Sequence, residues 1–243
     1  MKLWDKNNSG NEKIIEFTIG HDRLNDMHLI KYDLKASISH AKMLYKSNLL
    51  SEIECDRIIN ILNEMLSQAE SGELKIEKEF EDMHSKIEYT LISRLGDIGK
   101  KIHTARSRND QVLVSIQLYL IDELNSIKKE VKSLFDLLIN LAKKNKDIIM
   151  PGYTHMKAAM PSSFGLWFSA YAETLIDDII SLNSTIEIVN QNTLGSAAGY
   201  GTSFDIDRDF TTKDLNFKTL KYNSLACQIS RNKIEKNTFD AIG

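Results

Sequence analysis

Apolar residues recur at alternating three- and four-residue steps through Leu113, Ile116, Leu120, Leu124, Ile127, Val131, Leu134, Leu138 and Leu141. Such a seam predicts one long amphipathic helix of a bundle, ending at about Asn145. At 1.5 Å per residue it is roughly 50 Å long, more than a single small domain encloses, so a bundle shared between subunits follows. A second seam, Phe164, Trp167, Tyr171, Leu175, Ile179, Leu182, Ile186 and Val189, predicts its antiparallel partner. Between them, Met150 to Lys157 breaks the pattern and predicts a proline-bracketed loop, with Pro161-Ser162-Ser163 restarting the helix. Upstream, Leu34, Ile38, Ala41, Leu44 and Tyr45 predict a helix from Tyr32 to about Asn48. Ser51-Glu52-Ile53-Glu54 comes near a capping box, a residue type short, and opens a helix with apolar Ile58, Leu62 and Met65, closed by Ser71-Gly72. A third helix opens at Glu81-Asp82-Met83-His84, both carboxylates in its first turn, and runs through Ile87, Leu91 and Leu95. Residues 1–20 lack periodicity and read as an extended arm, and Tyr222 to Ile242 reads as helix again.

Composition sharpens this picture in one respect. The only two prolines, Pro151 and Pro161, flank one short segment, and the rest of the chain is free of this helix breaker. The chain therefore reads as mostly helical. A net charge of −3 gives no electrostatic case for nucleic acid. No apolar run approaches membrane-spanning length and none follows the N-terminal methionine, which predicts a soluble, cytoplasmic protein without membrane partners. Cys55 and Cys227 are too few for a disulfide framework and read as buried thiols in a reducing compartment. The histidines 21, 28, 40, 84, 103 and 155 are scattered, without the helical pairing of zinc motifs, so no metal site is expected.

The densest polar stretch, His103-Thr104-Ala105-Arg106-Ser107-Arg108-Asn109-Asp110-Gln111, lies at the mouth of the long helix. A helix N-terminus offers unpaired N–H groups and partial positive charge, and arginine forks suit carboxylates. The stretch reads either as a site for an anionic, carboxylate-bearing substrate or as a well-capped helix start with Ser107 or Asn109 as cap. Thr154 and His155 sit in the proline-bracketed segment, where a histidine is free to act as acid or base near neutral pH. His84 reads as a substrate contact or a solvated helix histidine. Leu194 to Thr202 is a small-residue loop whose glycines allow close backbone approach, without the ending of a phosphate-binding loop.

These segments carry a resemblance. His103 to Gln111 closely resembles the His-Thr-Gly-Arg-Ser-Arg-Asn-Asp-Gln signature of argininosuccinate lyases. Pro151 to His155 is similar to their Pro-Gly-Tyr-Thr-His-Leu-Gln, and Glu81 to His84 to their Glu-Asp-Ile/Val-His. Leu194 to Gly201, Asp207-Arg208 and Asn223-Ser224 fall at matching elements. The resemblance implies an all-α member of the fumarase/aspartase superfamily, a long antiparallel bundle with a smaller helical N-terminal domain, truncated relative to the family. Its domains would be 1–105 and an incomplete central bundle, 106–243. It further implies β-elimination of argininosuccinate to arginine and fumarate with no metal or organic cofactor, in a homotetramer whose active sites each gather three signature regions from three subunits. Carried over residue by residue, His155 and Thr154 are catalytic, and Ser107, Arg108, Asn109, Asp26, His84 and Arg106 bind substrate, with Asp33 also matching. The family's proton-abstracting serine lies in a Gly-Ser-Ser-x-Met-Pro-x-Lys-x-Asn-Pro loop, and no such stretch occurs in these 243 residues. Ala105 stands for a signature glycine, Lys157 for a glutamine, and Asp22 about where others place a serine. The alternatives are an adenylosuccinate lyase-like enzyme, for which no nucleotide motif appears, and a non-catalytic truncated member of the superfamily.

Overall fold

Scarce helix breakers leave long uninterrupted helices in the computed structural model, which describes residues 12–243. The order is α1 (Glu12–Ile19), α2 (Asp22–Lys46), α3 (Glu52–Glu70), α4 (Met83–Leu95), α5 (Asp97–Lys100), α6 (Arg108–Lys144), α7 (Phe164–Val189), α8 (Arg208–Asp214), α9 (Ser224–Ile229) and α10 (Lys233–Ile242). Four short strands complete it: β1 (Ile149–Thr154), β2 (Lys157–Ser163), β3 (Gln191–Asn192) and β4 (Thr219–Leu220). The all-α class expected from sequence holds. No described helix is long and apolar enough to cross a membrane.

Packing divides the chain into two compact units, one of residues up to 119 with 190–231, the other of 120–189 with 232–243. These units differ from a single cut after residue 105, because α6 continues from one into the other and 190–231 packs with the N-terminal part.

In the first unit, Ile30, Leu34 and Leu44 of α2, Ile58, Leu62 and Met65 of α3, and Ile87 and Leu91 of α4 form one buried cluster. Burying each such side chain contributes about 1.5–3 kcal/mol. Four expectations need correction here. First, Glu12–Ile19 is helical, not extended: no glycine or proline interrupts it until Gly20, whose φ of +53° closes it. Residues 1–11 of the expected arm lie outside the described residues. Second, α2 begins at Asp22, ten residues before Tyr32, because its polar first turns continue without a breaker. Third, the capping box of α3 is complete: Ser51 Oγ accepts from Glu54 N at 3.3 Å and Glu54 Oε2 accepts from Ser51 N at 3.0 Å. Similarly, Asp82 is the N-cap of α4 rather than a first-turn residue; its Oδ1 accepts from Ser85 N at 2.7 Å.

In the second unit, Lys146 lies against Gly165 at one end while Lys128 Nζ donates to Asn183 Oδ1 (2.6 Å) at the other, so α6 and α7 run antiparallel. The link between them is a β-hairpin, not an irregular loop. Pro151 pairs opposite Pro161, and β1 and β2 turn at His155 and Met156, with φ of +48° and +62°. A two-residue turn with both φ positive matches strand twist, and prolines are tolerated on such two-stranded edges. The expected seam of α6 is fully buried at Leu124, but Leu134 is 46% exposed. The C-terminal segment is two helices rather than one, broken where Asn232 takes a left-handed φ of +63°.

Candidate active site

The first unit builds its polar interior from one stripe of α2. Asp26, Asp33 and His40 are spaced by seven residues, with Ser37 between, so they share a helix face. Asp33 is fully buried. Its carboxylate accepts from His84 Nδ1 (3.0 Å), Gln111 Nε2 (3.1 Å) and Ser115 Oγ (3.2 Å), tying α2 to α4 and to the head of α6. Burial pushes the Asp33 carboxyl up, but the charge and hydrogen bond of His84, with Arg106 and Gln111, outweigh it and hold the group below its ordinary value. Asp26 Oδ2 accepts from Met83 N at 2.8 Å, so Asp26 and Asp82 together satisfy the first amides of α4.

The nine-residue stretch packs onto this stripe from His40 onward. Thr104 O accepts from His40 Nε2 at 2.9 Å, which places the proton on Nε2 and leaves Nδ1 bare. Burial, then the neighbouring Arg106 charge, keep His40 neutral, well below its ordinary value of 6.5. Ala105 then turns the chain with a φ of +58°. That is the position where the resembling signature has glycine, and the left-handed conformation costs a side-chain-bearing residue about 1 kcal/mol. Arg106 points inward and bonds Ser37 Oγ at 2.9 Å. Ser107 is the cap of α6: its Oγ accepts from Asn109 N at 3.3 Å. Asp110 completes the turn. Its fully buried carboxylate accepts from Ser107 N (2.9 Å), Gly195 N (2.9 Å) and Ala197 N (3.0 Å), clasping the small-residue loop to the helix head. Burial raises the Asp110 carboxyl despite these three donors.

Arg108 and Asn109 face outward. The Arg108 guanidinium pairs with Asp82, reaches Glu88 at 3.5 Å and leaves Nε without a partner. Asn109 O and Oδ1 accept from Arg231 Nη2 at 3.1 and 3.0 Å. Ser107, Arg108 and Asn109 line a cleft of about 620 Å³ with Glu88, Ile92, Gly99, Lys100, Ile102 and His103. The arrangement offers a planar cation, helix-end amides and two neutral donors to one anionic group. The structure thus brings Ser107, Arg108 and Asn109 together on a cleft, with Asp26, His84 and Arg106 in the same unit. Arg106 and His84 are buried behind it rather than lining it. Thr154 and His155 belong to the other unit, exposed at the tip of its hairpin. Sequence reasoning missed Asp110, Glu88 and Arg231. Asp110 and Glu88 look in sequence like ordinary helix carboxylates, and the proximity of Arg231 to Asn109 depends on a chain return of 122 residues. Among the described residues no cluster of three His, Cys, Asp or Glu side chains is placed to hold a metal ion.

Comparison with known proteins agrees with this construction. A family model described as lyase matches residues 16–241. An argininosuccinate lyase of Phocaeicola vulgatus is 48% identical over 241 residues, 99% of this chain and 54% of that protein. One of Thermotoga neapolitana is 44% identical, over 96% of this chain and 59% of its own length. The chain spans about half the length of the curated relatives it matches. Among solved structures, an EDDS lyase in complex with formate superposes with a TM-score of 0.81 at 23% identity, covering 95% of this chain and 45% of that one. An EDDS lyase variant with bound fumarate gives 0.79 at 24%, covering 96% and 46%. With a lyase family model matched over residues 16–241 and the helical fold shared with solved lyases, the chain belongs to this lyase family.

Proposed function

We propose that the chain is part of a carbon–nitrogen lyase that reversibly cleaves argininosuccinate to arginine and fumarate, in arginine biosynthesis in the cytoplasm. The carrying observation is the head of α6: Arg108, capped into place by Ser107 and flanked by Asn109, presents a fork to a cleft in a chain 48% identical to an argininosuccinate lyase. In β-elimination a proton leaves the carbon beside a carboxylate and negative charge builds on that carboxylate. The electron pair forms the carbon–carbon double bond as the carbon–nitrogen bond breaks, and the nitrogen takes up a proton. Fixed donors aimed at the developing charge stabilise it without reorganising. On this reading Ser107, Arg108 and Asn109 hold a succinyl carboxylate, while Asp26, His84 and Arg106 hold the frame behind them. His155 and Thr154, on the hairpin, serve the proton at the departing nitrogen. The working assembly is a homotetramer. Its support is the apolar surface of the second unit, where Leu137, Leu166, Ile176 and Ile180 are each about half exposed or more.

The test is fumarate release from argininosuccinate, followed by absorbance, by the chain alone and by the chain assembled with an intact argininosuccinate lyase. Arg108→Lys keeps the charge but loses the fork. It is expected to cost about 1.5–3 kcal/mol of transition-state stabilisation in the active assembly. Unchanged turnover and affinity in that variant contradict the assignment, as does an absence of fumarate from every assembly.

A further inference from the structure

We propose that Glu88 is the positioning residue that aims the Arg108 guanidinium into the cleft, with His103 as its second partner. The inference rests on the reading of Arg108 as the carboxylate binder. Glu88 lies on α4, two turns below the Asp82 cap, and its side chain is only 12% exposed. One oxygen stands 3.1 Å from His103 Nδ1 and the other 3.5 Å from Arg108 Nη2. Arg108 is therefore gripped twice from α4: through Nη1 by Asp82 and through Nη2 by Glu88. Two carboxylates at separate nitrogens fix both the plane and the roll of a guanidinium, which one alone does not. Nη2 also donates to Ser85 Oγ at 3.4 Å, and Nε is buried without a partner. All three residues line the same cleft wall. His103, the first residue of the nine-residue stretch, stands 3.1 Å from the far oxygen of Glu88 and steadies it from the opposite side.

A carboxylate beside an anion site has a competing effect, since its charge repels the ligand. Two substitutions separate the effects. Glu88→Gln removes charge and grip. Glu88→Asp keeps the charge but shortens the reach by one methylene. Positioning predicts that both weaken fumarate binding, the Gln variant by about tenfold, through the loss of the ion pair that aims the fork. Repulsion predicts tighter binding in Gln and none of the loss in Asp. The calorimetry is paired with nitrogen NMR of the Arg108 side chain in the full chain, labelled at arginine and assigned with Arg108→Lys. Restricted rotation about the guanidinium bond in the wild type, lost in Glu88→Gln and loosened in His103→Gln, is the expected result. Rotation unchanged in Glu88→Gln overturns the proposal whatever happens to stability or to fumarate. If the wild type binds no fumarate yet Arg108 is freed in Glu88→Gln, positioning stands and the substrate reading falls. Should Glu88→Gln fail to fold, Glu88→Asp and His103→Gln carry the same comparison.

Discussion

His40 shows how one buried side chain writes a pH dependence into the first unit. It is fully buried, donates through Nε2 to Thr104 O and has its acidity set by burial and by Arg106. Its folded-state pKa lies well below the unfolded value of about 6.5, so above that pH both states are neutral and it contributes nothing. Below it the unfolded chain binds a proton that the folded chain refuses, and stability falls as pH falls. The slope approaches about 1.4 kcal/mol per pH unit. Asp33, held low, adds a loss only in the carboxylate range beneath 3.8, whereas Asp26 and Asp110, held high, bind their protons in the folded chain above 3.8 and add stability as pH falls toward that value. Denaturant melts between pH 7 and 5 are therefore expected to lose stability in the wild type and to flatten in His40→Gln. Parallel curves for the two proteins contradict the assignment.

At the scale of elements, the clasp between the head of α6 and the loop after β3 holds the site's floor. Gly195 sits at a φ of +83°, and a Cβ there would meet Arg208 Cγ and Ile206 Cδ1, both at 2.9 Å. Arg208 is not free to yield: its Nε donates to Leu194 O (2.9 Å) and Nη2 to Lys221 O (3.0 Å). Gly195→Ala is expected to cost about 1–3 kcal/mol, read as a lowered denaturation midpoint. A midpoint within error of wild type shows that the loop relaxes freely. Much of this level was legible in the sequence. The seams through Leu113 and Phe164 gave both long helices, because a period near 3.6 survives partial exposure. Ser51 was legible as the cap of α3, but the segment was read as a residue type short of the capping box that Ser51 and Glu54 complete. The hairpin was hidden because β1 and β2 lack apolar alternation: nearly all their residues face solvent, and the turn rests on His155 and Met156 rather than asparagine or glycine. The cluster Ser107-Arg108-Asn109 was visible as polar density, yet its supports were not. Asp33, Glu88 and Asp110 become hubs only through partners far along the chain.

At the scale of the molecule, the two units divide the labour. The first buries its polar stripe and turns Arg108 to a cleft; the second carries Thr154 and His155 on an exposed hairpin and presents long apolar helices. The most direct measurement is calorimetric titration of the chain with fumarate and, in parallel, with its uncharged diamide. The account predicts saturable fumarate binding that is weakened by about tenfold or more in Arg108→Lys and a diamide that does not bind. Equal binding of the two compounds, or fumarate binding indifferent to Arg108→Lys, contradicts it.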